Sequence, residues 1–247
     1  METIDYVIFA SGGNDSVALV QWSFEKGLKN VVVCYSNTGW ASPEWPARIE
    51  AFSQYVQKCG FDFVEIKSRG FEDLVRYKKG FPANKPKFCT YELKILPAKN
   101  WLDTADPDKN AVCLVGVRRE ESPARFNWPE YVDESENHGG RDLWSPLVQV
   151  KEEERNALIA KTGMTILPHR SRECSPCVNS NRKDFRMLPE EDIAKVRALE
   201  VEIGKPMFRV QRFHGANGID QVMQWAWSAH GKYRPEDFEC DSGMCGD

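Results

Sequence analysis

The stretch Ser11-Gly12-Gly13-Asn14-Asp15-Ser16 decides the fold, because it joins the apolar run Tyr6-Val7-Ile8-Phe9-Ala10 to a helical pattern from Val17 to Leu28. Two glycines let the backbone turn sharply and bring its N–H groups close to an anion, and Asp15 and Ser16 stand where a helix start offers free donors. No lysine follows the glycines, so the stretch is not a Walker loop. The sequence predicts a phosphate site here; a glycine turn that merely caps a helix is the alternative.

A second buried strand follows at Val31 to Tyr35 and completes a βαβ unit. Its C-terminal end carries Ser36-Asn37-Thr38-Gly39-Trp40. Ligands of open α/β sheets bind outside the C-terminal ends of the strands, so this turn is expected to face the same crevice as the glycine stretch. An ordinary Asn/Gly turn is the other interpretation.

The remaining elements predict an α/β fold: a parallel twisted sheet with helices on both faces. The sequence divides into a nucleotide-binding domain, 1–165, and a helical, cysteine-containing region, 166–247, packed on it. Further helices are expected from Ser42, as the cap, to Lys58, from Lys87 to about Thr104, and at 151–161, 189–203 and 219–229. Further strands are expected at 61–66, 111–117 and 165–167, and a mobile insertion at 126–143. In the last helix, Trp225 and Trp227 are expected to be core anchors.

Composition excludes several classes of protein. The longest apolar runs are far too short to span a bilayer, and Met1 to Asp5 is not a secretion signal, so we expect a cytoplasmic protein without membrane contact. A net charge of −4 argues against a general nucleic-acid binder. Basic side chains nevertheless concentrate in two windows, Arg76 to Lys99 and Arg170 to Arg186, which are either local anion sites or solvated faces.

Eight cysteines in such a compartment are more typical of core residues, metal ligands or redox groups than of disulfides. Five lie outside clearly apolar settings: Cys89, Cys174, Cys177, Cys240 and Cys245. The Cys-x-x-Cys pair forms a two-thiolate clamp, Cys89 is a third candidate ligand, and Cys240 or Cys245 is a fourth. Four thiolates fit zinc and a 4Fe-4S cluster equally well by number.

These motifs together resemble the phosphoadenosine phosphosulfate (PAPS) reductase family within the PP-loop ATP pyrophosphatases. The matching pieces run in family order: residues 11–16, Asn37 to Trp40 with Pro43-Glu44, Phe88-Cys89-Thr90 leading to Leu93-Lys94 and Pro97, the segment 116–125, and Cys174/Cys177. The resemblance implies an adenine nucleotide alpha hydrolase-like sheet and, in many members, a 4Fe-4S cluster. It places the nucleotide against Ser11, Gly12, Gly13, Asn14, Asp15, Ser16, Asn37, Thr38, Gly39 and Gly116.

Departures from the family pattern bear on which of two reactions the chain is expected to catalyse. Cluster-bearing sulfate reductases have adjacent cysteines where this chain has Phe88-Cys89, many members have Asp where Asn37 stands, and the end of the chain only faintly echoes the reductases' Glu-Cys-Gly segment. Asp15, by contrast, is typical of ATP-cleaving members. The favoured hypothesis is therefore ATP with Mg²⁺ at Asp15, while Lys94, Arg118 and Arg125 neutralise the phosphates during adenylylation of an acceptor and sulfur transfer.

Two alternatives stay open. In the first, Cys245 attacks the sulfur of an adenylylated sulfate and releases sulfite. In the second, the cysteines hold a structural zinc and the domain only binds a nucleotide. For partners we expect a sulfur donor such as a cysteine desulfurase, a nucleic-acid substrate and a homo-oligomeric state.

Overall fold

A six-stranded sheet in the order β3-β2-β1-β4-β6-β5 forms the centre of the molecule. The computed structural model describes residues 3–83, 87–209, 213–228 and 231–233. The strands are β1 Tyr6–Ala10, β2 Val31–Asn37, β3 Asp62–Lys67, β4 Val112–Val115, β5 Tyr131–Ser135 and β6 Arg141–Trp144. All neighbouring pairs are parallel except β5 with β6. The chain places β2 on one side of β1 and β4 on the other, so the strand order reverses beside β1, where ligands of such sheets bind.

Helices cover both faces of this sheet, as the sequence predicts. They are α1 Asn14–Glu25, α2 Trp45–Lys58, α3 Phe71–Lys78, α4 Phe88–Thr90, α5 Leu96–Ala105, α6 Glu152–Ala160, α7 Arg182–Phe185, α8 Glu190–Ile203 and α9 Gly218–Trp227. Alternate residues of β1 explain the two layers: Ile8 packs with α1, α2 and α6, whereas Val7 packs with α5. None of the described helices is both long and apolar enough to cross a membrane.

A third apolar core joins the C-terminal helices to the rest of the chain. It contains Trp40 and Leu74 from the first part and Phe185, Val196 and Trp225 from the second. The C-terminal region therefore shares a core with α3 and with the turn after β2. The expected boundary at residue 165 stays a prediction.

Several sequence expectations are wrong. Residues 126–143, expected to be a mobile insertion, contain β5 and most of β6, and Arg141 is completely buried where its Nε donates to Asp106 at 2.6 Å and its Nη2 donates to Leu102 O at 3.0 Å. Residues 165–167 form no strand. Trp227, the last residue of α9, is 65% exposed and is therefore not a core anchor.

Two helix boundaries also differ from expectation. Ser42 does not cap the second helix, because its hydroxyl donates to Asp192 in α8 at 2.7 Å and the helix begins at Trp45. The helix expected from Lys87 is interrupted by one π-helical turn, Tyr91–Ile95, between α4 and α5. Such turns are frequent at functional sites.

Candidate functional site

The glycine turn between β1 and α1 presents the start of a twelve-residue helix at the C-terminal edge of the sheet. Gly12 has φ +71°, and a side chain there would lie 2.5 Å from Ile49 Cδ1, so the position requires glycine. Gly13 is the extended N-cap residue and no side chain caps the helix. Ser16 Oγ accepts a hydrogen bond from the Ser11 N–H at 2.9 Å and closes the turn. Within the described residues, the first-turn N–H groups are thus available for an anion.

Side chains of α2 hold this turn in place through hydrogen bonds to its backbone. Trp45 Nε1 donates to Ser11 O at 3.2 Å, and Arg48 Nε donates to Gly12 O at 2.7 Å. Asn14 was expected to contact the nucleotide, but its amide group exchanges two 2.9 Å hydrogen bonds with the backbone of Leu167. The Asn14 side chain therefore fastens the segment before the cysteines to the turn, and only its backbone N–H faces the anion site.

Arginines surround Asp15, and they include Arg118 and Arg125, whose predicted role at the phosphates stays a prediction. Arg118 Nε donates to Asp15 Oδ1 at 2.5 Å, the Arg118 side chain is only 5% exposed, and Arg155 Nη1 lies 3.8 Å from the same oxygen. Arg125 pairs with Glu121, and burial lowers the pKa of Arg125, which also feels the charges of Asp15, Arg170 and Arg118. The cations that could neutralise phosphates therefore converge on the helix start.

Gly116 brings the end of β4 against this site. A Cβ atom there would lie 2.8 Å from the backbone oxygen of Asp15 and 3.1 Å from its carbonyl carbon. Only glycine permits such a close approach between two backbones. Gly116 is thus required by its contact with the first turn of α1, and its predicted contact with the nucleotide stays a prediction.

The turn after β2 is built by its own side chains. Asn37 Oδ1 accepts from Gly39 N at 2.9 Å, and Asn37 Nδ2 donates to Glu65 at 2.8 Å. Thr38 is fully buried; its N–H donates to Glu173 Oε1 at 2.9 Å and its hydroxyl donates to the Glu173 side chain and backbone. These side chains position the turn toward the crevice rather than being free for a ligand.

Cys174 lies beside this turn because its segment pairs with residues 40–42. Trp40 and Cys174 form a parallel bridge, Ser175 N donates to Trp40 O at 2.9 Å, and Ser42 N donates to Arg172 O at 3.0 Å. Trp40 Nε1 also donates to Pro176 O at 3.2 Å. The cysteine segment thus continues the C-terminal edge of the sheet, next to the phosphate turn.

The Cys174 and Cys177 thiols share one hydrogen bond. It raises the pKa of Cys174, which donates, and lowers the pKa of Cys177, assisted by the Asn179 N–H 3.4 Å from the Cys177 sulfur. Cys89 lies close enough that the charge of Cys177 raises the pKa of Cys89, together with burial. The structure therefore places all three predicted thiols in one region.

Lys94 belongs to this thiol region. It lies in the π-helical turn. Its positive charge acts to lower the pKa of Cys89, Cys174, Cys177 and Glu173, although burial outweighs this effect at Cys89 and Glu173. Lys94 therefore lies beside the thiols, whereas Arg118 and Arg125 lie at Asp15, and Arg170 adds a second positive charge near Cys177. The predicted role of Lys94 at the phosphates stays a prediction.

The thiols fit a metal-thiolate group in donor chemistry, because soft sulfur ligands select zinc or iron–sulfur centres. In the part of the chain that the structure describes, however, no three Cys, His, Asp or Glu side chains converge closely enough to hold a metal ion. The expected fourth ligands, Cys240 and Cys245, lie outside the described residues. Cys34 and Cys113 are buried core thiols, as predicted.

Sequence reasoning missed three residues that shape the site. Arg48 and Arg155 sit within helix patterns and carry no local signal. Glu173 is buried, burial raises its pKa, and it accepts from Tyr35 and Thr38, which lie at the end of β2. A carboxylate next to a Cys-x-x-Cys pair was the available signal for Glu173.

Comparisons with known proteins bear on the family of this chain. The family model of the phosphoadenosine phosphosulfate reductase domain matches residues 5–175. An uncharacterized 37.8 kDa protein in the gpa 5′ region of Escherichia phage 186 is 24% identical over 229 residues, covering 81% of this chain and 63% of the relative. The chain thus spans less than two thirds of that relative's length.

Two solved structures are similar at low identity. A phosphoadenylyl-sulfate (PAPS) reductase from Candida auris, in a phosphate complex, shares 15% identity with a TM-score of 0.47, covering 67% of this chain and 76% of its own. The U34-tRNA thiolase NcsA from Methanococcus maripaludis, with its [4Fe-4S] cluster, shares 14% identity with a TM-score of 0.48, covering 100% of this chain and 77% of its own. With its family model matched from the start of β1 to the cysteine segment, the chain belongs to the phosphoadenosine phosphosulfate reductase domain family.

Proposed function

We propose that this chain is a PP-loop ATP pyrophosphatase that adenylylates an acceptor, releases pyrophosphate and passes the activated acceptor to sulfur transfer. One observation carries the proposal. The uncapped start of α1, with Asp15 and its arginines, and the thiol region of Cys174 and Cys177 lie on the same edge of the sheet, where the hydroxyl of Ser171 donates to Ser11 O at 3.4 Å.

Phosphate binding follows from the charges at the helix start. The N–H groups of the first turn and the helix dipole favour an anion, and Arg118, Arg125 and Arg155 supply positive charge beside it. Because Asp15 Oδ1 already accepts from Arg118, a Mg²⁺ ion brought by ATP would use the other carboxylate oxygen.

The chemical step is a substitution at the α-phosphorus. An oxygen of the acceptor forms a bond to this phosphorus, the bond to the pyrophosphate oxygen breaks, and pyrophosphate leaves with its electron pair. Arg118 and Arg125 stabilise the negative charge that develops on the phosphates. A sulfur nucleophile at the sulfide level then displaces AMP from the acceptor without net oxidation or reduction.

The sulfur half is assigned to Cys89, Cys174 and Cys177, with Cys240 or Cys245 completing the set. A 4Fe-4S cluster held by these thiols would supply the iron–sulfur chemistry of the transfer step, and only an iron left without a thiolate ligand could bind an incoming sulfur atom. The hydrogen bond from Cys174 lowers the pKa of Cys177, the charge of Lys94 acts in the same direction, and Glu173 fixes the segment against the turn after β2. A sulfur donor such as a cysteine desulfurase and a homo-oligomeric state belong to the same proposal.

Pyrophosphate release from ATP tests the activation step. We expect release with the wild-type chain in the presence of an acceptor and none with Arg118→Met, which keeps the apolar stem but removes the charge at the phosphates. An exposed-arginine variant, Arg197→Met, controls for general effects, because Arg197 pairs with Asp220 at the surface. No pyrophosphate, together with thiol-dependent sulfite from an adenylylated sulfate, would contradict the proposal in favour of the reductase that the family description offers.

Anaerobic purification tests the thiol region. A brown protein with broad absorption near 400 nm is expected for about one cluster per chain held by four thiolates. A colourless protein with stoichiometric zinc would contradict the sulfur-transfer half and favour a structural role.

A further inference from the structure

A cavity lies beside the phosphate site and is not used by the nucleotide chemistry described above. It has a volume of about 490 Å³ and is lined by Arg119, Glu120, Phe126, Asn127, Val148, Gln149, Val150 and Lys151. Its volume falls in the range of ligand sites, roughly 300–1,000 Å³. We propose that this cavity binds a nucleobase of a single-stranded nucleic-acid acceptor, an inference that rests on the proposed adenylylation.

The cavity is joined to the phosphate site through one carboxylate. Glu120 lines the cavity, and its Oε2 accepts from Arg118 Nη1 at 3.1 Å and from the backbone of Glu152 at 2.8 Å. Arg118 in turn donates to Asp15 at 2.5 Å. A base held in the cavity would therefore lie next to the arginines that surround the phosphates, where an acceptor must lie.

Phe126 gives the cavity a stacking surface. Its side chain is 70% exposed, although burying a phenylalanine is usually favourable, and it directly follows the short 3-10 helix Pro123–Arg125. Bases stack on exposed aromatic rings without regard to sequence, because every base has a π-face. Val148 and Val150 add apolar surface to the lining.

Polar groups in the lining match the other parts of a nucleotide. Asn127 and Gln149 carry side-chain amides with both donors and acceptors, the groups that read base edges. In the described ranges, neither amide makes a hydrogen bond and the Lys151 ammonium has no ion pair, so binding would break no internal contact. Lys151 is suited to a backbone phosphate.

Charge in the lining distinguishes a nucleic acid from a peptide. Arg119 and Lys151 are positive, and the single carboxylate, Glu120, is neutralised by Arg118. Arg119 uses Nε and Nη2 to hold Trp128 O and thereby fixes the segment that carries Phe126. An aromatic ring, amides and unpaired positive charge together favour a base with its phosphate over an acidic or apolar side chain.

Fluorescence anisotropy with labelled single-stranded RNA and DNA of the same mixed sequence tests the inference in the full-length protein. Phe126→Ala should weaken oligonucleotide binding about tenfold, as expected for one lost stacked base. Phe24→Ala is the matched control, since Phe24 is 50% exposed at the far end of α1 and should bind as wild type. Lys151→Gln should lower the slope of log K against log salt by about 0.7.

Two results would overturn the inference. One is an equal oligonucleotide affinity of Phe126→Ala and Phe24→Ala. A complete lack of oligonucleotide binding by the wild-type protein and both variants at low salt counts as the same result. The other is weaker ATP binding by Phe126→Ala with unchanged oligonucleotide binding, which would assign the cavity to the adenine of ATP. Pyrophosphate release reports separately on the proposed function: binding through Phe126 without any pyrophosphate release from ATP would support the cavity and contradict the adenylylation.

Discussion

Gly116→Ala is the substitution that most directly tests how the phosphate turn is positioned. The new Cβ would lie 2.8 Å from the backbone oxygen of Asp15, and its backbone φ is not in the left-handed region, so any cost is steric. Ordinary contacts begin near 3.4 Å, so the first turn of α1 or the end of β4 must move by about 0.6 Å. Overpacking of this kind costs about 1–3 kcal/mol.

The expected result has two parts. Urea unfolding should show a loss of about 1–3 kcal/mol of unfolding free energy, and ATP should bind more weakly because the N–H groups of α1 are displaced from the phosphates. Isothermal titration calorimetry measures the second effect.

Gly80→Ala is the matched control for this pair of measurements. Its Cβ would meet only the side chain of Lys205, at 3.8 Å from Cδ and 3.9 Å from Nζ, and its φ also lies outside the left-handed region. The control should bind ATP as wild type and be unchanged or slightly more stable. Equal stability and equal ATP affinity of Gly116→Ala and Gly80→Ala would refute the close backbone contact as the reason for glycine at position 116.

Three further predictions follow from the same geometry. Asp15→Asn should stop pyrophosphate release and also lower the unfolding free energy by about 1–3 kcal/mol, because the buried Arg118 loses one of its two charged partners and keeps only Glu120. Cys174→Ser should lose bound metal in anaerobic elemental analysis, whereas Cys34→Ser, in the core, should keep it. Burial lowers the pKa of His138 from 6.5 to about 4, so the protein should be fully stabilised by neutral His138 above pH 6.5 and lose about 2 kcal/mol by roughly pH 5.

Each of these has its own control. Asp73→Asn removes a partner of Arg76 in an exposed i,i+3 pair and should cost less than about 0.5 kcal/mol. A Cys174→Ser protein with full metal content would exclude Cys174 as a ligand. For the pH effect, His138→Gln should flatten the dependence of the urea midpoint on pH over the same interval, and an unchanged dependence would assign it to another group.

The parallel strands and their ligand edge were predictable from the sequence because their signals are local. β1 was predicted with the same boundaries that the structure shows, since both faces of that strand are covered and every residue is apolar. The glycine turn was predictable for the same reason: a strand, two glycines and a helix are adjacent in the chain. Gly116 needed the resemblance to the family, because its contact with Asp15 joins the end of β4 to the first turn of α1, which are far apart in sequence.

The β5–β6 hairpin was not predictable from apolar periodicity. β5 has four outward or half-buried polar or aromatic positions, and its order comes from side-chain bonds such as Tyr131 to Asp142 at 2.6 Å. Arg141 is buried because two aspartates and backbone carbonyls satisfy its guanidinium, which hydropathy cannot indicate. The polar sequence of residues 126–143 therefore predicted an insertion, although this segment forms the edge strand β5 and most of its neighbour β6.

The positions of the thiols depend on contacts between distant parts of the chain. Two buried carboxylates flank Cys174. Glu173 accepts from Thr38 at 2.9 Å, and Asp192 accepts from Ser42 at 2.7 Å and from Ser175 at 2.5 Å. Lys195 compensates the charge of Asp192 at 2.7 Å.

Because both carboxylates bond to the turn that follows β2, Cys174 is fixed to this turn on its two sides as well as by the Trp40 bridge. Loss of one carboxylate would leave the other anchor in place. Supporting hydrogen bonds of this kind determine how accurately a ligand atom is held. The protein therefore positions the Cys174 segment relative to the turn after β2 independently of what the thiols bind, as the proposed sulfur transfer would require.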